Sequence, residues 1–306
     1  MNWPGLLAWS TKYHDGTAPS EFKPLSAEDR AFLERAFEDA YGQIQDPNKI
    51  MQEAVEQIKS KDRTNESIAT ALELIDKCCD DVDCARNVEK LDCLQPILDL
   101  LETHSGCMRV RTLEILALLF SNNPDIQQAG VKRGAMKTFL RLVQECPKAS
   151  EERAKAFRAL VALVRQVTVY EETLLQGAGG LGVILSFLEP DEDAGAREKA
   201  ASFVRSLVRD SRFQAEEAPA LIKAISQLVR GISEEASMQY REVVTDCMHA
   251  LVGAFPGQCT AEAKDAVEAR LAKLQAEKDP ESEGEVGSLL QCLVAFDGGD
   301  AAPPAA

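Results

Sequence analysis

The stretch ILALLFSNNPDIQ, residues 115–127, is apolar enough to be buried and then stops at Ser-Asn-Asn-Pro. Ser121, Asn122 and Asn123 suit a helix end, Pro124 prevents continuation, and Asp125 suits the opening of a new helix. Related segments recur along the chain: IATALELIDK (68–77), LEILALLFSN (113–122), RALVALVRQV (158–167), SFVRSLVRDS (202–211) and DCMHALVGAF (246–255). With Leu74, Leu118, Leu163, Leu207 and Leu251 taken as equivalent, the spacings are 44, 45, 44 and 44 residues. Self-similarity at this period is the signature of a helical solenoid of the HEAT or armadillo kind.

Ahead of these segments lie shorter apolar ones: LQPILDLLE (94–102), AMKTFLRLVQ (135–144), LGVILSFLE (181–189) and ALIKAISQLV (220–229). Gly130, Gly134, Gly177, Gly179 and Gly180 punctuate the approach to two of them, as helix C-caps and tight turns do. Each unit then reads as two short helices and a long third one, a count that favours armadillo over HEAT. One unit cannot cover its own apolar face, so units must stack on a shared core. The fold expected is all-α: an armadillo-repeat, right-handed superhelical solenoid with capping helices.

The repeats are expected over residues 67–256. Residues 1–25 hold five Pro and Gly with no sustained period and read as a flexible segment. SAEDRAFLERAFEDAYG (26–42) opens with the capping-box spacing Ser26 to Asp29, and with DPNKIMQEAVEQIKS (46–60) it makes an N-terminal cap over 26–66. Residues 257–296 supply the C-terminal capping helices, and the tail 297–306, rich in Gly, Pro and Ala, is expected to be disordered.

A formal charge of −16 and a pI near 4.8 argue against nucleic acid, whose binding needs clustered Lys and Arg. No segment reaches the roughly 18 apolar residues of a membrane span, and MNWPGLLAWSTKYHD lacks a basic leader region. A soluble cytoplasmic protein is expected. Nine cysteines, at 78, 79, 84, 93, 107, 146, 247, 259 and 292, fall mostly in apolar-periodic segments and read as free thiols of a reducing compartment.

Sequence patterns for catalysis fail individually. GAGGLG (177–182) has neither the Lys of a phosphate loop nor a preceding strand, and reads as a turn. His14, His104 and His249 have no sequence basis for grouping around a nucleophile. Cys78, Cys79, Cys84 and Cys93 lack the paired spacing of zinc ligands. No enzyme, metal or cofactor is expected, which leaves a binding surface.

In an armadillo stack the third helices line the inner face. Peptide-binding members carry an Asn ladder there, just before the aligned Leu. Here the ladder positions are Glu73, Ala117, Ala162, Ser206 and Ala250, so the amide ladder is missing. Helical spacing from the ladder position gives Lys155, Arg158 and Arg165 in one unit, Lys199, Ser202 and Arg209 in the next, and Val110, Leu113 and Phe120 in the unit before. A stripe that is basic in its middle, on so acidic a chain, is a candidate partner surface.

The chain resembles the armadillo-type nucleotide exchange factors of heat shock protein 70 chaperones, the Hsp-binding-protein and Fes type. The resemblance runs through LLAWS (6–10), DPNKIMQEAVEQI (46–58), ALELIDKCCDDVDCARNVEKLDCLQPILDLL (71–101), MRVRTLEILALLFSNNPDIQ (108–127), KAFRALVALVRQ (155–166) and MHALVGAFP (248–256). One departure is Asp83-Cys84-Ala85, where the family usually has Asp-Asn-Ala.

The resemblance implies a monomeric co-chaperone whose concave face clasps one lobe of the chaperone's nucleotide-binding domain and opens its cleft to release ADP. It places partner contacts at Ala85 and on the basic stripe, with Asn122 and Asn123 at the rim. It further implies that Leu6, Leu7 and Trp9 mimic a chaperone client. The competing expectation is an armadillo scaffold that holds a partner helix in its groove without affecting nucleotide.

Overall fold

The computed structural model describes residues 25–41, 46–79, 82–177, 179–233, 236–277 and 282–298, with Leu7, Ser10 and Thr11. Among them every regular element is helical. In chain order these are α1 Ala27–Tyr41, α2 Pro47–Lys59, α3 Asn65–Cys79, α4 Val82–Asn87, α5 Leu94–Thr103 and α6 Cys107–Phe120. Next come α7 Pro124–Lys132, α8 Ala135–Glu145, α9 Glu151–Val164, α10 Thr168–Gln176 and α11 Gly180–Ser186. The remainder holds α12 Ala194–Arg209, α13 Ala218–Arg230, α14 Met238–Ala254, a 3-10 turn Pro256–Gln258, α15 Ala261–Glu277 and α16 Glu283–Gly298. The flexible segment expected over 1–25 and the tail expected over 297–306 fall almost wholly outside the described residues, although α16 itself runs to Gly298.

The long helices α3, α6, α9, α12, α14 and α16 pack side by side, each on the next, and one continuous apolar core runs from Met51 to Cys292. This is an armadillo-type solenoid. The pairs α4–α5, α7–α8 and α10–α11 complete three-helix units with α6, α9 and α12. The last two units depart from that count: only turns separate α12 from α13, and the 3-10 turn stands where a first helix would be.

Local sequence sets the helix starts. Ser26 opens α1 as the capping box requires, its Oγ accepting from Asp29 N at 3.1 Å and donating to Asp29 Oδ2. Ser150, Asp193 and Ser237 cap the long helices α9, α12 and α14 through their side-chain oxygens.

Burial fixes the period at 44 residues throughout: Ile75, Leu119, Leu163, Leu207 and Leu251 are fully buried, and Ala295 takes the next step. Leu74 is half-buried and Leu118 is 42 % exposed, so an alignment on those two is one residue out of register. Adjacent apolar pairs, Leu74-Ile75 and Leu118-Leu119, hide the slip in sequence. In the true register Glu73 and Ala117 leave the ladder position, which becomes Leu74, Leu118, Ala162, Ser206, Ala250 and Val294.

The same period carries a row of arginines, Arg109, Arg153, Arg197 and Arg241, in the first turns of α6, α9, α12 and α14. Arg109 Nε donates to Leu101 O at 3.1 Å, and its guanidinium pairs with Glu152 at 3.0 Å. Arg153 donates to Val143 O and to Ser186 Oγ, pairs with buried Glu192 at 2.7 Å, and lies over the Phe187 ring. Arg197 donates to Pro190 O and faces the Tyr240 ring, but its buried Nε has no hydrogen-bond partner among the described residues. Arg241 approaches Glu285, which Arg270 grips through two hydrogen bonds of 2.7 and 3.1 Å. Arg109 and Arg153 thus join the end of the preceding helix to the next unit. Charged residues on a helical pattern read as a solvated face, which is why this row is silent in sequence.

Of the five punctuating glycines, Gly134 and Gly179 do occupy left-handed turns, at φ 80° and 84°. Gly130 does not: it lies inside α7, where a Cβ would meet the Phe120 ring at 2.6 Å and Leu163 Cδ1 at 3.0 Å. Gly130→Ala improves helix propensity by about 1 kcal/mol, yet overpacking against the fully buried Phe120 outweighs that gain. A net loss of about 1–2 kcal/mol in urea unfolding is expected.

Cys78, Cys79, Cys84, Cys93, Cys247 and Cys292 are buried, Cys107 is exposed, and none of the nine cysteines is joined in a disulfide. Burial pushes Cys93 up to about 11 and Cys247 and Cys292 up to about 12, so these thiols stay protonated and act as small core residues. No helix among the described residues is long and apolar enough to cross a membrane.

Candidate functional site

The side-by-side packing of α6, α9 and α12 leaves a groove along one face of the row. Its central cavity, about 250 Å³, is lined by Glu114, Ala117, Leu118, Ser121, Arg158, Ala162 and Lys199. All of these but Ala117 are positions that helical spacing predicts once the register is corrected. On α6 the stripe is Arg111, Glu114 and Ser121. Leu113 and Phe120, expected there from the slipped alignment, are fully buried in the core.

The two ends of the groove are electrically closed. Asp76 pairs with Arg111 at 2.7 Å, Arg111 with Glu114 at 3.5 Å, and Glu114 with Lys155 at 2.5 Å. Burial opposes ionisation of Glu114, but Lys155 and Arg111 together outweigh it and hold its carboxyl below the usual value. On the other side Arg205 pairs with Asp246 at 2.7 Å, and Ser288 donates to the same carboxylate.

Between these networks lie Arg158, Arg165 and Lys199, which form no ion pair among the described residues. The Lys199 ammonium is held below its usual pKa by burial first, then by repulsion from Arg165 and Arg158, with Glu198 only partly offsetting them. An uncompensated positive centre therefore sits in the groove of a strongly acidic molecule. Such a centre attracts carboxylates and other anions.

Of the residues expected to contact a partner, Arg158 and Arg209 are exposed, and Arg165, Lys199 and Ser202 are half-buried on the groove helices. Lys155 lies in the groove but its charge is already taken by Glu114. Asn122 is exposed in the left-handed conformation at φ 53°, ending α6 as Gln166 ends α9 at φ 66°. Asn123 departs from the expectation. It is 6 % exposed, and its Nδ2 donates to Ala85 O at 3.5 Å, so it joins α7 to α4 instead of facing outward. Ala85 is half-buried at that joint.

Gln127 fixes the far rim, its Nε2 donating to Ala162 O at 2.8 Å and Arg165 O at 3.0 Å and so closing the C-terminal end of α9. Leu6 and Trp9 lie outside the described residues; Leu7 is 68 % exposed. Sequence reasoning missed Leu118, the apolar residue in the groove, because it aligns with core leucines.

The family model described as the SIL1/FES1/HPBP1 C-terminal domain matches residues 84–248, and the model for nucleotide exchange factor Fes1 matches residues 4–88. The Hsp70 nucleotide exchange factor FES1 of Candida glabrata is 26 % identical over 209 residues, covering 68 % of this chain and 70 % of its own. Nucleotide exchange factor SIL1 of Rattus norvegicus is 23 % identical over 228 residues, covering 74 % of this chain and 46 % of its own. A designed armadillo repeat protein solved with a (KR)4 peptide superposes with a TM-score of 0.60 at 18 % identity, covering 80 % of this chain and 99 % of that one, a likeness of fold. The 44-residue helical period and the matches spanning both halves of the sequence place the chain in the SIL1/FES1/HPBP1 family, to which it belongs.

Proposed function

We propose that this protein is a co-chaperone that binds the nucleotide-binding domain of a heat shock protein 70 chaperone across the α6–α9–α12 groove and promotes release of ADP, and with it of client. The observation that carries this reading is the uncompensated cluster of Arg158, Arg165 and Lys199 in the groove of a chain of charge −16. The relatives, named as Hsp70 nucleotide exchange factors, supply the partner.

The mechanism needs no catalytic residue, and the protein acts without cofactor, as a monomer. A partner that binds the open-cleft state better than the closed one weakens nucleotide affinity by the same free energy. ATP, which favours the closed cleft, drives the factor off by reciprocity. A cytosolic setting is supported by nine cysteines of which none is in a disulfide, as suits a reducing compartment.

Stopped-flow release of a fluorescent ADP analogue from a cytosolic chaperone is expected to accelerate with the concentration of this protein. Absence of acceleration across several such chaperones would sink the proposal. Deleting residues 1–25 is expected to leave that rate unchanged while slowing release of a labelled client, because Leu6, Leu7 and Trp9 are proposed to occupy the client site. Unchanged client release refutes that role.

A further inference from the structure

We infer that Lys199 is an acylation site for small thioesters, and that its modification switches the groove off. The second half rests on the exchange-factor reading; the first half does not.

Lysines are ordinarily poor nucleophiles near neutral pH because the ammonium form dominates, and desolvation beside other cations is the arrangement that frees the amine. Lys199 has that arrangement. It is half-buried, lines the groove cavity of about 250 Å³ together with Arg158 of α9, and is repelled by Arg158 and by Arg165 at the end of that helix. The carboxylates around it are already engaged: Glu114 by Lys155, Asp246 by Arg205, and Glu198 by Gln239 Nε2 at 2.6 Å. Other lysines differ. Lys155 and Lys148 are locked in ion pairs, and Lys137 and Lys223 stand exposed to solvent. Burial and the two arginines together hold the Lys199 ammonium below its ordinary pKa, which enlarges its neutral fraction.

The step is simple aminolysis. The neutral Nζ attacks the thioester carbonyl, a C–N bond forms, the C–S bond breaks, and the departing thiolate takes up the proton that nitrogen loses. No oxidant or further reactant is involved. The cavity leaves room beside Nζ for an acyl group. The product amide is neutral, so one of three cations is lost from the centre that receives the partner, and the two guanidiniums then face a bulkier side chain.

The test is site-resolved mass spectrometry of the full-length protein incubated with acetyl-coenzyme A as the thioester. At pH 7.5 Lys199 is expected to acetylate about fivefold faster than Lys137 and Lys223. The Arg158→Ala, Arg165→Ala double variant, checked for an unchanged melting temperature, is expected to bring Lys199 down to the rate of those exposed lysines. A Lys199 rate equal to theirs in the native protein, or an unchanged rate in the double variant, overturns the site. For the switch, protein acetylated at Lys199 and the Lys199→Gln variant are expected to lose acceleration of ADP release. Full modification with exchange intact overturns the switch. Labelling is read without any chaperone, and exchange by the unmodified protein is read separately, so failure of this inference and failure of the exchange-factor reading are distinct results.

Discussion

Replacing Glu192 with Ala is expected to destabilise the fold by about 3–5 kcal/mol. The side chains of Arg153 and Glu192 are 8 % and 1 % exposed, and the carboxylate holds two donors at once: it takes Arg153 Nε through Oε1 at 2.7 Å and Ala149 N through Oε2 at 3.0 Å. Removing it strands a guanidinium between Val143 O and the face of Phe187, a ring that also stacks on Phe157 at 4.0 Å. A buried pair broken on one side costs far more than the pair contributes when whole, because the remaining charge stays desolvated. Arg153→Met with Glu192→Leu is therefore expected to recover much of the loss. Urea unfolding of the single and double variants measures both, and a single variant within about 1 kcal/mol of the parent contradicts the burial assigned to this pair.

The second large effect concerns binding. Lys199→Glu converts one of three mutually repelling cations into a carboxylate that both neighbouring arginines can grip, so the groove's positive centre neutralises itself from within. Chaperone affinity is expected to fall at least about 100-fold, as truncating or reversing a desolvated interface charge does, with acceleration of ADP release lost in step. The fold is expected to hold or to gain slightly, because repulsion is removed. Calorimetric titration with the isolated nucleotide-binding domain, alongside the helical circular dichroism signal, separates the two: wild-type affinity in a folded variant places the contact elsewhere on the solenoid.

The repeat architecture was legible because burial in a stacked solenoid repeats with the chain, and IATALELIDK through DCMHALVGAF carry that repetition openly. Register was less so. Where the groove position and the core position beside it are both leucine or isoleucine, as at Leu118-Leu119, hydropathy cannot say which one faces the partner. The basic centre was still found, since Lys155, Arg158, Arg165 and Lys199 lie in units whose alignment on Leu163 and Leu207 was correct. The pairing that removes Lys155 from it depends on Glu114, a residue of the slipped unit. Asn122 and Asn123 show the same limit at finer scale: both are polar and both suit a helix end, yet only the backbone turn decides that the first points outward and the second inward.

The row of arginines bears on how the molecule comes apart. A solenoid holds together through nearest-neighbour joints, and its cooperativity is no better than its weakest one. Arg109, Arg153 and Arg241 each cross a joint with a carboxylate on the far side, whereas Arg197 meets the ring of Tyr240 and has no ion-pair partner among the described residues. The joint between α12 and α14 is held instead by the Arg205–Asp246 pair at 2.7 Å and by Gln239 Nε2, which donates to Glu198 at 2.6 Å. Every joint from α3 to α16 thus carries a charged tie of its own, and the stack is expected to open as one cooperative body, not one end first.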